Sequence, residues 1–134
     1  MADIAVFGEK DYQQLQIIRR MARDFDIPTE ILGAPTVRED DGLAMSSRNR
    51  YLKATERSCA GKLYESISNV AKAVRRGTDP MAACSDAAHF LTEEGFHKIE
   101  YLRVLDAETF RDYQGAGRPG RVFVAAWLGK ARLI

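Results

Sequence analysis

The sequence predicts a mixed α/β fold, with a strand–helix–strand unit of a parallel sheet followed by a small α+β domain of two helices on an antiparallel sheet. Three observations support this. The pattern of the first ~35 residues predicts a short strand, an amphipathic helix and a second short strand, which is the element order of a βαβ unit. Two amphipathic segments follow, and strand-like segments end the chain. With 134 residues, of which 46% are hydrophobic, the chain is long enough to bury a core.

The strand–helix–strand unit starts with an apolar run at 3–7 (DIAVF), which predicts a buried strand stopping at Gly8. A helix capped by Asp11 follows, and after Pro28 the segment 29–32 (TEIL) predicts a second strand. Parallel sheets normally have more strands and two covered faces, so this unit is expected to be the tail of a larger α/β domain. The predicted buried face of the helix is Leu15, Ile18, Met21 or Ala22, and Phe25.

The rest of the chain predicts a polar loop, two helices and the antiparallel sheet. The segment 36–52 lacks a sustained period, which indicates a loop with at most one helical turn. One long helix is predicted from Thr55 to Gly77, and a second from a cap at Asp79 to Gly95. The predicted strands are 99–105, 121–128 and 131–134, and Trp127, in the most apolar of them, is predicted to lie in the core.

Composition excludes several classes of protein. Twenty Lys and Arg against 19 Asp and Glu give a net charge of +1, which removes any general attraction to nucleic acid or anionic membrane. The longest apolar run, 122–128, is far shorter than the ~20 residues of a membrane span, and no secretory signal is recognised. Cys59 and Cys84 lie in predicted helices without zinc-ligand spacing. We therefore expect a cytoplasmic protein with reduced thiols and no metal site of its own.

One group of polar residues lies where the first predicted strand gives way to its helix. In open α/β sheets ligands bind beyond the carboxyl ends of the strands, near helix N-termini. There Lys10 can hold phosphate, Gly8 lets a ligand approach the backbone, and Asp11 can accept hydrogen bonds from ribose hydroxyls. The alternative interpretation is purely structural: Gly8 forms a turn, Lys10 is solvated and Asp11 caps the helix. Gln14, on the first turn of the helix, offers an amide to a substrate or lies on a solvated surface.

A second group lies in the predicted loop, at 42–49 (GLAMSSRN). Two adjacent hydroxyls, Ser46 and Ser47, and the forked guanidinium of Arg48 suit a polyphosphate whose charge shifts during a reaction. Such residues are also what any loop contains, so the segment alone leaves both interpretations open. The combination with Lys10 favours phosphate binding.

Three motifs occur in order along the first 52 residues: FGEKDYQQL at 7–15, GAPTVRE at 33–39 and DGLAMSSRNRYL at 41–52. Their order and spacing closely resemble those of the pantothenate synthetase (pantoate–β-alanine ligase) family, and the similarity continues to VAAWLGKARLI at the end of the chain. The resemblance implies a Rossmann-like nucleotidyltransferase domain and a homodimer. It also implies a reaction in which ATP and pantoate, with Mg²⁺, give pantoyl adenylate and pyrophosphate, after which β-alanine displaces AMP to give pantothenate.

The resemblance implies roles for individual residues. Lys10 would hold the ATP phosphates and then the acyl phosphate, Gly8 and Asp11 would contact the ribose, and Gln14 would bind pantoate. Mg²⁺ ligands would come from ATP or from outside this chain. The remaining implied contacts are Val37, through its backbone, to adenine; Ser46, Ser47 and Arg48 to the phosphates; and Met45 packed beside them.

One family signature does not occur in the sequence. No HxGH motif is present, and we therefore expect the chain to be the C-terminal portion of a ligase, inactive by itself. The expected domains are 1–38, the end of a Rossmann-like ATP-binding domain; 39–53, a phosphate-binding loop and linker; and 54–134, an α+β lid domain. The alternative is a dimerisation or lid module with at most weak nucleotide or phosphate binding.

Overall fold

The computed structural model describes residues 2–115 and 117–134 and divides the chain into two units, Met1–Val37 and Arg38–Ile134. In the first unit, β1 (Ile4–Gly8) pairs in parallel with β2 (Glu30–Ala34), so that Gly8 lies opposite Ala34. A 3-10 turn, Glu9–Asp11, leads from β1 into α1 (Tyr12–Asp24). The predicted strand–helix–strand order and its parallel pairing are confirmed.

The cap of α1 and the burial of β1 differ from the prediction. Asp11 precedes α1, but its side chain makes no capping hydrogen bond, because the 3-10 turn gives it φ −88° and ψ 60° instead of the extended backbone of a capping residue. The predicted burial of β1 is also wrong, since Ile4 is 52% and Val6 63% exposed. Successive strand side chains point to opposite faces, and α1 covers the face on which Leu15 contacts Gly33.

The buried face of α1 is narrower than its sequence period suggests. Leu15 and Ala22 are buried, as predicted, and Ile18 is half-buried. Of the two alternatives Met21 and Ala22, Ala22 is thus the buried one and Met21 is exposed. Phe25 is also exposed, which corrects the prediction for that residue. Both exposed residues lie towards the C-terminal end of α1, and Phe25 is already the residue after the helix.

The second unit carries a three-stranded antiparallel sheet in the order β3 (Lys98–Asp106), β4 (Gly120–Leu128) and β5 (Ala131–Leu133). The helices α3 (Lys62–Arg75) and α4 (Pro80–Glu93) pack on it. This confirms the predicted layers of the α+β domain. The most buried residues of the core cluster between helices and sheet are Ala60, Val70, Leu91, Phe96, Ala126 and Ala131.

The predicted long helix from Thr55 is two helices. The short helix α2 (Ala54–Ala60) ends at Gly61, and α3 begins at Lys62. Gly61 is buried against the preceding loop, where an added Cβ would lie 2.7 Å from the Asp41 carbonyl oxygen. The break between the two helices therefore lies where the loop backbone packs against Gly61. The predicted cap of α4 is confirmed, since Asp79 accepts a hydrogen bond from the Ala82 amide at 3.0 Å.

Trp127 does not lie in the core. Its neighbours Ala126 and Leu128 are buried, and the indole of Trp127 is half-buried and donates to a Glu100 carboxylate oxygen at 2.6 Å. That carboxylate also accepts from Arg132 at 2.9 Å, and these two donors lower the pKa of Glu100.

Within residues 2–115 and 117–134, none of the helices has the length and apolar character needed to cross a membrane.

Candidate functional site

The first candidate group lies at the carboxyl end of β1. Gly8 is the last residue of the strand and is extended, with φ −69° and ψ 137°, and no atom lies within 4 Å of the position of an added Cβ. Lys10 is half-buried in the 3-10 turn, and Asp11 and Gln14 are exposed at the start of α1. The structure thus brings these four predicted residues to one end of one helix.

This end of the first unit suits an anion. The dipole of α1 is positive at this end, which favours a negative charge. Because Gly8 pairs with Ala34 in a parallel sheet, the chain that follows β2 leaves at the same edge. Val37, three residues beyond Ala34, is exposed on that chain. Its proposed backbone contact to adenine is not tested by the structure and remains a prediction.

The second candidate group surrounds a short 3-10 helix, Ser47–Tyr51. Ser46 caps it, because its Oγ accepts a hydrogen bond from the Arg48 amide at 3.3 Å. The side chains of Met45, Ser47 and Arg48 are exposed. Among the described residues, Arg48 takes part in no ion pair, so its guanidinium presents its donors to solvent. The predicted helical turn in the loop is confirmed.

A tight turn precedes this helix and forms a frame for it, which we call the loop frame (Arg38–Ala44). The Glu39 amide donates to the Leu43 carbonyl and the Gly42 amide to the Glu39 carbonyl, both at 2.8 Å. Gly42 has φ +87°, a conformation that favours glycine. Leu43 and Ala44, which end the frame, are buried. The exposed Met45–Arg48 stretch thus begins at a buried residue.

An ion pair fastens the loop frame to α2. The Asp41 carboxylate accepts from Arg57 at 2.5 and 3.3 Å, in a two-pronged contact, and also accepts from the Leu43 amide at 3.2 Å. The hydrogen bond from Arg57 holds the pKa of Asp41 below its usual range, and the same contact raises the pKa of Arg57. Both side chains therefore stay charged at neutral pH.

A second arginine fastens the frame to α3. The Arg38 guanidinium lies 3.8 Å from the centroid of the Tyr64 ring and donates to the Gly42 carbonyl at 3.1 Å. Burial lowers the pKa of Arg38, but an arginine remains protonated at neutral pH. The frame is thus held by contacts from two helices that follow it in the sequence.

The far end of the exposed stretch is held by Asn49. Its Nδ2 donates to the Ala44 carbonyl at 3.0 Å, and its backbone amide donates to the Ser46 carbonyl at 3.1 Å. The Oδ1 atom of Asn49 is buried and has no hydrogen-bond partner among the described residues.

The structure thus gathers the predicted residues into two groups, each within its own unit. Gly8, Lys10, Asp11, Gln14 and Val37 belong to the first unit, and Met45, Ser46, Ser47 and Arg48 to the second. Sequence reasoning missed the residues that hold the loop frame, which are Arg38, Asp41, Arg57 and Tyr64. The Asp-Gly turn at 41–42 was a visible signal of a tight turn, but nothing in the sequence pattern pointed to its distant partners.

Known proteins resemble the chain over its full length. Residues 1–134 match the family model for pantoate-beta-alanine ligase. A pantothenate synthetase of Caulobacter vibrioides is 51% identical over 99% of this chain and 48% of its own length. For one of Paramagnetospirillum magneticum the identity is 47%, over 100% of this chain and 47% of the relative. The chain therefore spans about half the length of the curated relatives it matches.

Solved structures agree. The crystal structure of pantothenate synthetase from Thermus thermophilus matches with a TM-score of 0.86 and 39% identity, over 98% of this chain and 48% of that one. A pantoate-beta-alanine ligase from Francisella tularensis, complexed with beta-gamma ATP and beta-alanine, matches with a TM-score of 0.68 and 30% identity. That match covers 98% of this chain and 41% of the other.

Proposed function

Because the chain belongs to the pantoate–β-alanine ligase family, we propose that it provides phosphate-binding and nucleotide-binding residues of an ATP-dependent ligase that makes pantothenate, on the route to coenzyme A. The observation that carries this proposal is the Ser46–Arg48 segment, close to the buried Leu43 and Ala44. It exposes the Ser47 side chain and an Arg48 guanidinium without an ion-pair partner among the described residues, with the half-buried Ser46 beside them. The complex of the Francisella tularensis relative with ATP and β-alanine supports both as substrates.

The proposed chemistry has two steps. The pantoate carboxylate attacks the α-phosphorus of ATP in line, the bond to the bridging oxygen breaks, and pyrophosphate leaves. The amine of β-alanine then attacks the acyl carbon of pantoyl adenylate, forms the amide and releases AMP together with a proton.

Charge placement is the catalytic task in this scheme, since no side chain needs to become a nucleophile. Negative charge spreads over the phosphate oxygens in the first step, and preset donors stabilise that state more than they stabilise bound ATP. We assign this role to Lys10, Ser46, Ser47 and Arg48. The supporting contacts are Gly8 and Asp11 to the ribose, Gln14 to pantoate, Val37 to adenine, and Met45 packed beside the serines.

We propose that Mg²⁺ enters with ATP, on ligands that this chain does not supply. Among the described residues, no three histidine, cysteine, aspartate or glutamate side chains come together in a way that suits a metal ion. None of the roles assigned above depends on a metal ligand from this chain.

Titration of ATP into the purified chain tests the proposal. We expect measurable binding, and we expect Arg48→Ala to weaken it about tenfold, because one charge-assisted contact to phosphate is lost. Arg76→Ala, at the exposed arginine directly after α3, is the matched control and should leave the affinity unchanged. Absence of ATP binding by the unmodified chain, or equal affinities for the Arg48 variant and the control, would count against a phosphate role for the segment.

A second candidate function is self-association, favoured by the bare face of the β1–β2 sheet. Ile4, Val6 and Leu32 share that face and are all exposed, with Val6 directly opposite Leu32. Burying three apolar side chains is a typical driving force for dimers. This observation supports a homodimer.

The free thiols Cys59 and Cys84 support a cytoplasmic location for the protein.

Light scattering after size-exclusion chromatography tests self-association. We expect a dimer mass at high concentration that falls on dilution, and a monomer for Val6→Lys at all concentrations, since a buried lysine without a partner opposes association. Met81→Lys, at an exposed apolar residue of α4 in the other unit, is the control. A monomer mass for the unmodified chain over the whole range would leave the binding function as the only candidate.

A further inference from the structure

The exposed stretch Met45–Arg48 is closed at its base by one side chain. The Asn49 Nδ2 group donates to the Ala44 carbonyl oxygen at 3.0 Å, so the residues on either side of the stretch are joined directly. Ala44 is buried and ends the loop frame, which Arg57 and Arg38 fasten to α2 and α3. The Asn49 amide therefore connects the exposed stretch to the buried part of the unit.

The other half of the same amide group is not used. The Asn49 Oδ1 atom is shielded from solvent without a hydrogen-bond partner among the described residues. Burying an acceptor in this way costs stability, and buried polar atoms in native proteins nearly always have partners. Asn49 thus gains one hydrogen bond through Nδ2 and loses stability through Oδ1, which is a poor arrangement for a residue that only stabilises the fold.

We propose that Asn49 is a positioning residue for phosphate binding. By closing the stretch on Ala44, it fixes the direction in which the Ser47 hydroxyl and the Arg48 guanidinium approach a phosphate-bearing ligand. This inference rests on the proposed function, because it concerns the same phosphate donors. It adds Asn49 as a residue on which the geometry of Ser47 and Arg48 depends. Fixing donors before the ligand arrives increases affinity, because less conformational entropy is lost on binding.

Other contacts hold the stretch locally or through the helix that begins in it. The Arg48 amide donates to Ser46 Oγ at 3.3 Å, the Asn49 amide to the Ser46 carbonyl at 3.1 Å and Arg50 Nε to the Ser47 carbonyl at 3.2 Å. The 3-10 helix that begins at Ser47 also contacts β5. None of these contacts reaches the loop frame. Without the Asn49 side chain, Met45–Arg48 keeps a local turn but loses the side-chain bond that joins that turn to Ala44.

The test compares Asn49→Ala with the matched control Asn69→Ala, whose asparagine is exposed on α3. Backbone ¹⁵N order parameters of Ser47 and Arg48 should fall from about 0.85 to below about 0.6 in Asn49→Ala and stay unchanged in the control. Affinity for inorganic pyrophosphate, measured by calorimetry, should fall about tenfold. The melting temperature should change little, because the lost Nδ2 bond is offset by removal of the buried Oδ1.

Asn49→Leu, which keeps a similar shape and loses the donor without adding a charge, should give the same loss of order and of affinity. Unchanged order parameters and affinity in both variants would overturn the inference. A large fall in melting temperature, with order parameters that stay unchanged at temperatures well below it, would also overturn the inference. In that case Asn49 would stabilise only the fold. If the unmodified chain binds no pyrophosphate, the proposed function fails, and the order parameters alone decide whether Asn49 fixes the stretch.

Discussion

Gly42→Ala is expected to lower the free energy of unfolding of the Arg38–Ile134 unit by about 3 kcal/mol. Part of the loss comes from the backbone, because Gly42 has φ +87°, where an L-residue is strained by about 1–2 kcal/mol. The rest comes from packing, since the new Cβ would lie 2.4 Å from Cδ1 of Tyr64. The tyrosine ring cannot rotate away from this Cβ without losing its stacking contact with the Arg38 guanidinium.

Urea unfolding followed by tryptophan fluorescence measures this loss, because the only tryptophan in the sequence, Trp127, lies in the same unit. Gly77→Ala is a matched control: Gly77 has φ +97°, but no atom lies within 4 Å of its added Cβ. It should cost about 1 kcal/mol, the effect of the backbone conformation alone. Equal losses for the two variants would show that Tyr64 does not restrain the loop frame.

Asp106→Asn is expected to destabilise the same unit strongly at neutral pH and much less in acid. The buried Asp106 carboxylate accepts hydrogen bonds from the amides of Glu108 and Thr109, at 3.0 and 2.9 Å, and from the Arg118 guanidinium. The guanidinium is the largest cause of a pKa of Asp106 held far below its usual range. The charged carboxylate therefore organises the turn after β3.

The direction with pH follows from that lowered pKa. An unfolded aspartate titrates near about 3.9, and below that pH the unfolded chain binds a proton that folded Asp106 does not. The stabilisation is thus complete above that value and is lost as pH falls towards the folded pKa. Thermal melts of the unmodified chain and Asp106→Asn should accordingly converge as pH drops from 7 towards about 2.

A matched control separates this effect from general acid destabilisation. Glu108→Gln removes an exposed carboxylate that also reaches Arg118, at 3.3 Å, and should change the melting temperature little at any pH. Asp41 and Glu100 also have lowered pKa values and contribute to the acid loss of the unmodified chain. Because Asp106→Asn retains both, the difference between the two melts isolates Asp106. A constant difference from pH 7 to acid would contradict its role.

Local patterns predicted most of the elements of this chain correctly. The cap at Asp79 and the apolar runs of β3 and β4 report interactions within a few residues, and these elements form where expected. The wrong predictions at Gly61 and Trp127 concern positions whose conformation depends on residues far away in the sequence. The break at Gly61 depends on the carbonyl of Asp41, and the position of Trp127 depends on which face of β4 meets α3.

The candidate site shows the same limit. Lys10 and the Ser46–Arg48 segment were predicted as site residues because their chemistry is visible in the residue types and their motifs resemble a family. Arg57 and Tyr64, which hold the loop frame, lie 16 and 22 residues beyond the partners they contact, Asp41 and Gly42. Their positions look like ordinary helix surface, since a charged or aromatic residue at such a position carries no mark of its partner.

The fastening of the loop frame to α2 and α3 also sets the order in which this region acquires its shape. Contacts between residues close in sequence form first during folding, and helices form within about a microsecond. The frame precedes these helices in the chain, yet Asp41, Arg38 and Gly42 find their partners only after Arg57 and Tyr64 are in place. On a ribosome, the Ser46–Arg48 segment therefore emerges before the residues that give it a defined conformation, and it is completed only when they follow.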